Sequence, residues 1–243
     1  MPLAVIASAI LLACTDIPTS AGEVLSFQFV PLPSPGVIIG DSLRDSLGVV
    51  TPVRVRGFNY QGDTIETLDV RFAAVDAGIQ VDSLTGIVTG DSVLSAARIQ
   101  ASVKGLSGFA SIAVTYRPDS VTGSNARDSL SYSLTDSTLN VSAPIGVRVL
   151  HGALGDTSVA AWRVSFLITG VADTAMAQLI DDGGARSLMD TTDASGVGAR
   201  RLRIDVKHLV SPVDSVIVQA FVRYRGVNVR GSPMRLVLKV KPK

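Results

Sequence analysis

Three observations predict an all-β fold: helix-forming residues are scarce, apolar residues alternate with polar ones, and turn signals recur every ten residues or so. Of the 21 acidic residues only Glu23 and Glu66 are glutamate, and lysine occurs only at Lys104, Lys207, Lys239, Lys241 and Lys243. Asp, Ser, Thr, Val and Gly take their place, and these favour turns and pleated strands over helix interiors. The 243 residues are 47% hydrophobic and 18% charged, with a net charge of +1. That length suits two domains, and that balance excludes both a disordered acidic tail and a strongly basic nucleic-acid binder.

Leu3 to Leu12 is an apolar run of about ten residues, suited to a signal-peptide core and short of the roughly 20 that span a bilayer as a helix. It ends in Leu11-Leu12-Ala13-Cys14, and Cys14 is the only cysteine. A lone cysteine in an exported chain has no internal disulfide partner. The segment resembles a bacterial lipoprotein signal, in which a cysteine after a small residue is acylated and becomes the mature N-terminus. The resemblance implies lipidation at Cys14, residues 1–13 as signal or anchor, and a membrane-anchored location on the periplasmic side of a bacterial cell envelope, at either membrane.

Residues 14–35 are expected to hold a linker and a first strand, in which Leu25, Phe27 and Phe29 share a face. Val53 and Val55 alternate with Arg54 and Arg56, and Leu68, Val70 and Phe72 alternate with Asp69 and Arg71. Ile79 and Val81 run through an Asp82 to Gly86 turn into Ile87 and Val88. Ile99, Ala101 and Val103 return through Lys104 to Gly108 as Ile112, Val114 and Tyr116. Strands this short with one apolar face need a second sheet to cover them. Val37 to Asp41, Val70-Arg71-Phe72 and Val81 to Gly90 make residues 36–118 resemble a group 2 bacterial immunoglobulin-like domain. Phe72 stands where members often carry tryptophan.

Turn-rich Pro118 to Asn125 marks a boundary, and residues 119–138 are expected to be a linker. A second alternating region, 139–243, contains Ile145, Val147 and Val149, then Trp162, Val164, Phe166 and Ile168. Leu202, Ile204 and Val206 follow, then Val216, Val218, Ala220 and Val222, and after the Gly231-Ser232-Pro233 turn Leu236, Leu238 and Val240. Thr192 to Ala199 makes this region resemble the group 1 bacterial immunoglobulin-like domains of invasin and intimin stalks. Such domains are spacers and adhesive modules, and the resemblance implies no enzyme activity.

Gly40-Asp41-Ser42-Leu43 spells the block that names the GDSL esterases, and Asp205-x-x-His208 matches their acid and histidine spacing. Such an enzyme uses the serine as nucleophile and the histidine as base. The family's Gly-x-Asn-Asp sequence is missing, however, and Gly-Asp-Ser/Thr recurs at residues 62–64, 90–92 and 155–157 as a turn habit. His151 and His208 are the only histidines, which leaves too few ligands for a zinc site of the usual type. Asp181-Asp182-Gly183-Gly184 and Asp190 to Gly196 could offer oxygens to calcium, but the latter lacks the alternating acids of an EF-hand, so turn formation is the expectation. No metal, cofactor or nucleic acid is expected.

Arg54, Arg56, Arg201, Arg203, Arg223 and Arg225 alternate with apolar residues and form a candidate interaction surface. Formal charge is −4 over residues 14–120 and +5 over 121–243. A basic second half favours encounter with acidic partners. The sequence thus points to a non-catalytic, membrane-anchored structural or interaction protein, an extrinsic scaffold or clamp subunit of a larger membrane complex. The alternative is a surface adhesin or glycan-binding lipoprotein.

Overall fold

The computed structural model describes residues 20, 22–124, 127–136, 140–153, 157–170, 175–208 and 214–243. Cys14 and the apolar run before it lie outside these residues. The first half contributes β1 (Ser26–Phe29), β2 (Gly36–Ile38), β3 (Val55–Phe58), β4 (Thr64–Ile65), β5 (Val70–Ala74), β6 (Ile79–Val81), β7 (Val88–Gly90), β8 (Leu94–Val103) and β9 (Leu106–Thr115). The second contributes β10 (Ser120–Gly123), β11 (Arg127–Tyr132), β12 (Ile145–His151), β13 (Thr157–Ser158), β14 (Arg163–Thr169), β15 (Ala177–Ile180), β16 (Met189–Thr191), β17 (Val197–Ile204), β18 (Ser215–Phe221), β19 (Arg223–Tyr224), β20 (Val227–Asn228) and β21 (Met234–Pro242). Among the described residues the sole helical element is a single 3-10 turn, Val206–His208.

The chain is all-β, and its strands pair within two sets that share no ladder among the described residues. In the first set the sheet β2-β9-β8-β5 faces the smaller sheets β1-β3-β4 and β6-β7. Val37, Phe72, Ile79, Val88, Ile99, Ile112 and Val114 fill the space between them. In the second, β10-β12-β17-β15 covers β11-β21-β18-β14-β16, and Ile145, Val147, Leu202, Phe166, Val218 and Leu238 interdigitate as one buried cluster. Each cluster arises because period-2 alternation places every second side chain on the same face of a strand.

Two expectations need correction. The connection over residues 104–108 is tighter than expected: Lys104 and Gly105 alone turn the chain, with φ of 45° and 86°, and Leu106 already pairs with Val103. Two consecutive positive φ values match the twist of paired strands, which is why a two-residue turn suffices. The linker expected at 119–138 contains β10 and β11, because Val121, Leu130 and Tyr132 reach the second cluster and are buried in it. Turn-rich composition concealed these three apolar positions.

One five-residue turn is used four times, over 45–49, 59–63, 181–185 and 193–197. In each, the glycine at the fourth position adopts φ between +77° and +86° and donates its N–H to the backbone carbonyl of the first residue. The first residue's side-chain oxygen accepts further amides. Asp45 Oδ1 takes those of Leu47 and Val49, Asn59 Oδ1 those of Gln61 and Asp63, and Asp193 Oδ1 those of Ser195 and Val197. Asp181 Oδ1 takes that of Ala185. These oxygens satisfy loop amides that strand pairing leaves over.

Bonds from Ser195 and the Val197 amide hold the Asp193 carboxyl below its usual 3.8. The folded state therefore favours the ionised form. Its contribution is complete above pH 3.8 and is lost as pH falls through the depressed value. Because Asn59 performs the same task neutrally, Asp193→Asn should leave the urea midpoint at neutral pH nearly unchanged and flatten the acid limb. Asp193→Ala should cost about 1 kcal/mol.

Candidate functional site

The two sets of sheets meet along a seam organised by Asp41. Asp41 follows β2 in a tight bend in which Gly40 takes φ of +71°. Its side chain is 11% exposed and accepts hydrogen bonds from both halves of the protein. From its own side, Arg44 Nη2 donates to Oδ1 at 2.9 Å, Arg44 Nε spans both oxygens, and the Ser42 amide donates to Oδ1. From the hairpin β19–β20, Arg225 Nη2 donates to Oδ2 at 2.9 Å and the Tyr224 hydroxyl donates at 3.1 Å. Burial alone would raise the Asp41 carboxyl, but the bonds from Arg44, Arg225, Ser42 and Tyr224 outweigh it and hold the group well below the usual carboxylate range. Burial and the Asp41 charge together raise the Tyr224 phenol above 10.0.

Backbone packing closes the rest of the seam. A Cβ on Gly48 would lie 2.5 Å from the Arg225 Cα, and one on Gly36 would lie 2.8 Å from the Ala161 carbonyl oxygen. Trp162, just before β14, donates its indole N–H to the Arg223 carbonyl at 3.2 Å, with its ring 6.5 Å from that of Tyr224. At the chain crossing, the Asp119 carboxylate accepts hydrogen bonds from Arg117 Nε at 2.7 Å and the Gly152 amide at 2.9 Å, while His151 Nδ1 lies 2.9 Å from the Arg117 carbonyl and 2.8 Å from the carboxylate and its ring stacks on Tyr116 at 5.1 Å. The chain therefore passes between the halves under several constraints.

Beside Asp41 the seam opens into a small cleft with about 100 Å³ of internal space. Four arginines, Arg44, Arg163, Arg223 and Arg225, and two aspartates, Asp41 and Asp45, line it. Trp162, Tyr224 and Phe221 supply ring surface. Arg225 lies 5.2 Å over the Tyr224 ring and Arg223 lies 5.6 Å over Phe221.

The six arginines singled out from sequence are distributed. Arg223 and Arg225 line the cleft, Arg54 and Arg56 are exposed at β3 in the first set, Arg201 pairs with Asp182 at 3.2 Å on β17, and Arg203 borders a separate depression beside Asp205. They do not form one surface, because β3, β17 and the β19–β20 hairpin belong to different sheets. Asp205 and His208 do meet, at 3.0 Å within the 3-10 turn. Ser42 lines the cleft instead, bridged to Thr89, and the depression at Asp205 shares no lining residue with it. Among the described residues no group of three His, Cys, Asp or Glu is placed to hold a metal, and no helix is long and apolar enough to cross a membrane.

The sequence reading missed Asp41, Arg44, Trp162 and Tyr224 as one site. The nearest signal was the alternating Arg223-Tyr224-Arg225 triplet, but its partner lies 183 or more residues earlier and carries no matching pattern.

No protein-family model and no curated protein matches the chain. Solved structures that it is similar to include domains 4 and 5 of the S-layer protein SbsC, at 11% identity and a TM-score of 0.33, covering 90% of this chain and 99% of that one. Human protocadherin-24 EC1-2 gives 11% identity and a TM-score of 0.29, covering 91% and 100%. Drosophila N-cadherin EC1-3 gives 12% and 0.29, covering 92% and 68%.

Proposed function

We propose that the chain is a non-catalytic, extracytoplasmic scaffold or clamp, tethered to a bacterial envelope membrane through lipid on Cys14 and built of two immunoglobulin-like domains. It acts as an extrinsic subunit of a larger membrane protein complex. The observation that carries this reading is the closed seam, in which one enclosed carboxylate accepts bonds from both halves while Gly36 and Gly48 let the backbones touch. A spacer that transmits position needs a stiff junction, and a hinge between two independent domains would show neither feature. The separation of Ser42 from the Asp205–His208 pair also favours a structural role, since nucleophile and base must come within about 3 Å.

In mild detergent the native protein is expected to migrate with other membrane proteins in a stoichiometric assembly; a free monomer would contradict the scaffold reading. Intact-mass analysis should show loss of residues 1–13 and added acyl mass, and Cys14→Ser should release the protein from membranes. A multiply acylated terminus anchors firmly where one chain binds only marginally. Met1 retained, with Cys14→Ser still membrane-bound, would show that the apolar segment is the anchor. Short-chain esters should not be hydrolysed; hydrolysis abolished by both Ser42→Ala and His208→Ala would overturn the non-enzymatic reading.

A further inference from the structure

The cleft beside Asp41 contains more cationic capacity than the seam consumes. Arg44 and Arg225 are committed, since their guanidinium groups bond Asp41 and Arg44 Nη1 also bonds the Gly48 carbonyl. Arg223 is exposed, lies over the Phe221 ring, and donates one hydrogen bond, from Nε to Asn228 Oδ1 at 3.3 Å. Arg163 is half-buried in the cleft wall, and among the described residues no carboxylate pairs with it. A guanidinium drawn partly out of water beside other cations gains from an external oxyanion, and its planar fork matches a carboxylate.

Around these donors the cleft also offers ring and aliphatic surface. Trp162 and Tyr224 are half-buried, their rings inclined at 59°, and the buried Val37 and Ile38 also border the cleft. Its internal space of about 100 Å³ limits any occupant to a small molecule, and ring surface beside placed polar groups is a common pattern of small-molecule sites. Inorganic phosphate would satisfy the arginines and leave the rings uncovered. A ligand with both features would use the whole cleft.

We propose that this cleft is a binding site for a carboxylate borne on a six-membered ring, the carboxylate held by Arg163 and Arg223 and the ring lying against Trp162 and Tyr224. The ring is aromatic or a sugar; the shared chemistry is the acid beside a flat face. The inference is independent of the scaffold reading, since a structural subunit and a free protein could equally carry such a site.

Trp162 is the only tryptophan in the chain, so intrinsic emission reports directly on the cleft. The full-length protein is titrated with sodium benzoate and sodium glucuronate, with benzamide, glucose, sodium acetate and sodium chloride as controls at matched concentration and ionic strength. At least one ring acid should change Trp162 emission saturably, and the controls should not. A response to benzoate alone assigns an aromatic acid, and one to glucuronate alone a sugar acid. Arg163→Gln and Arg223→Gln should each weaken that binding about tenfold, while Arg54→Gln, remote from the cleft, should leave it unchanged. No saturable response to either acid, an equal response to acetate or to the neutral analogues, or undiminished affinity in both cleft variants would overturn the proposal.

Discussion

Asp41→Ala should unlock the seam while leaving both hydrophobic clusters intact. The substitution strands Arg44 and Arg225 beside one another and removes the acceptor of the Tyr224 hydroxyl. Truncating the shared partner of an enclosed, hydrogen-bonded charge cluster costs about 2 to 5 kcal/mol. The low end applies here because both arginines reach solvent, so closure should weaken by about 2 kcal/mol, or roughly thirtyfold. Hydrogen exchange should rise over residues 40–49 and 223–228 and stay slow in β8, β9, β18 and β21. Unchanged exchange across the seam would count against Asp41 as its organiser. Acid should mimic the substitution only at low pH: the ionised carboxylate favours closure, in full above 3.8, and that contribution is lost as pH falls through the depressed folded value. Tyr224 acts with the opposite sign. Its bond is present below 10.0 and is lost as pH rises through the elevated folded value.

Gly48→Ala should have a still larger effect on the seam, and Gly62→Ala supplies its matched control. Both glycines occupy the fourth position of the same five-residue turn, with φ of +86° and +85°. A methyl group at Gly62 meets nothing within 4 Å, so that variant reports backbone strain alone, about 1 kcal/mol. A methyl group at Gly48 would meet the Arg225 backbone at 2.5 Å, and backbone cannot rotate away as a flexible side chain could. The excess loss in the Gly48 variant should exceed about 2 kcal/mol. It should be accompanied by the same rise in exchange over 223–228 that is expected for Asp41→Ala. Equal losses in the two variants would contradict close packing at the seam.

Much of the fold was legible because it is written locally. Alternation at Ile145, Val147 and Val149, and again at Val216, Val218 and Ala220, gives strands whose inward residues are almost wholly buried. Aspartate or asparagine three positions before glycine marks the repeated turn, and the chemistry of that turn explains why the Asp-rich loops spend their oxygens on amides. The strands at 120–123 and 127–132 escaped notice because three apolar residues sit among serine, glycine and threonine. The seam was illegible for a different reason. Gly40-Asp41-Ser42 looks like any other turn in this chain, and only the folded topology brings it to Tyr224 and Arg225. Likewise, Asp205 and His208 meet through local spacing, whereas the relation of that pair to Ser42 depends on where two distant segments settle.

The scaffold reading stands on the two halves moving as one body, and a distance distribution across the seam tests this most directly. With Cys14→Ser to remove competing thiol, spin labels at Leu84→Cys and Leu134→Cys, both strongly exposed, place one probe on each half. Pulsed electron paramagnetic resonance should give one narrow distance population at neutral pH, broadening when Asp41→Ala is added. A distribution already broad in the protein carrying Asp41, and no broader without it, would contradict a clasped seam.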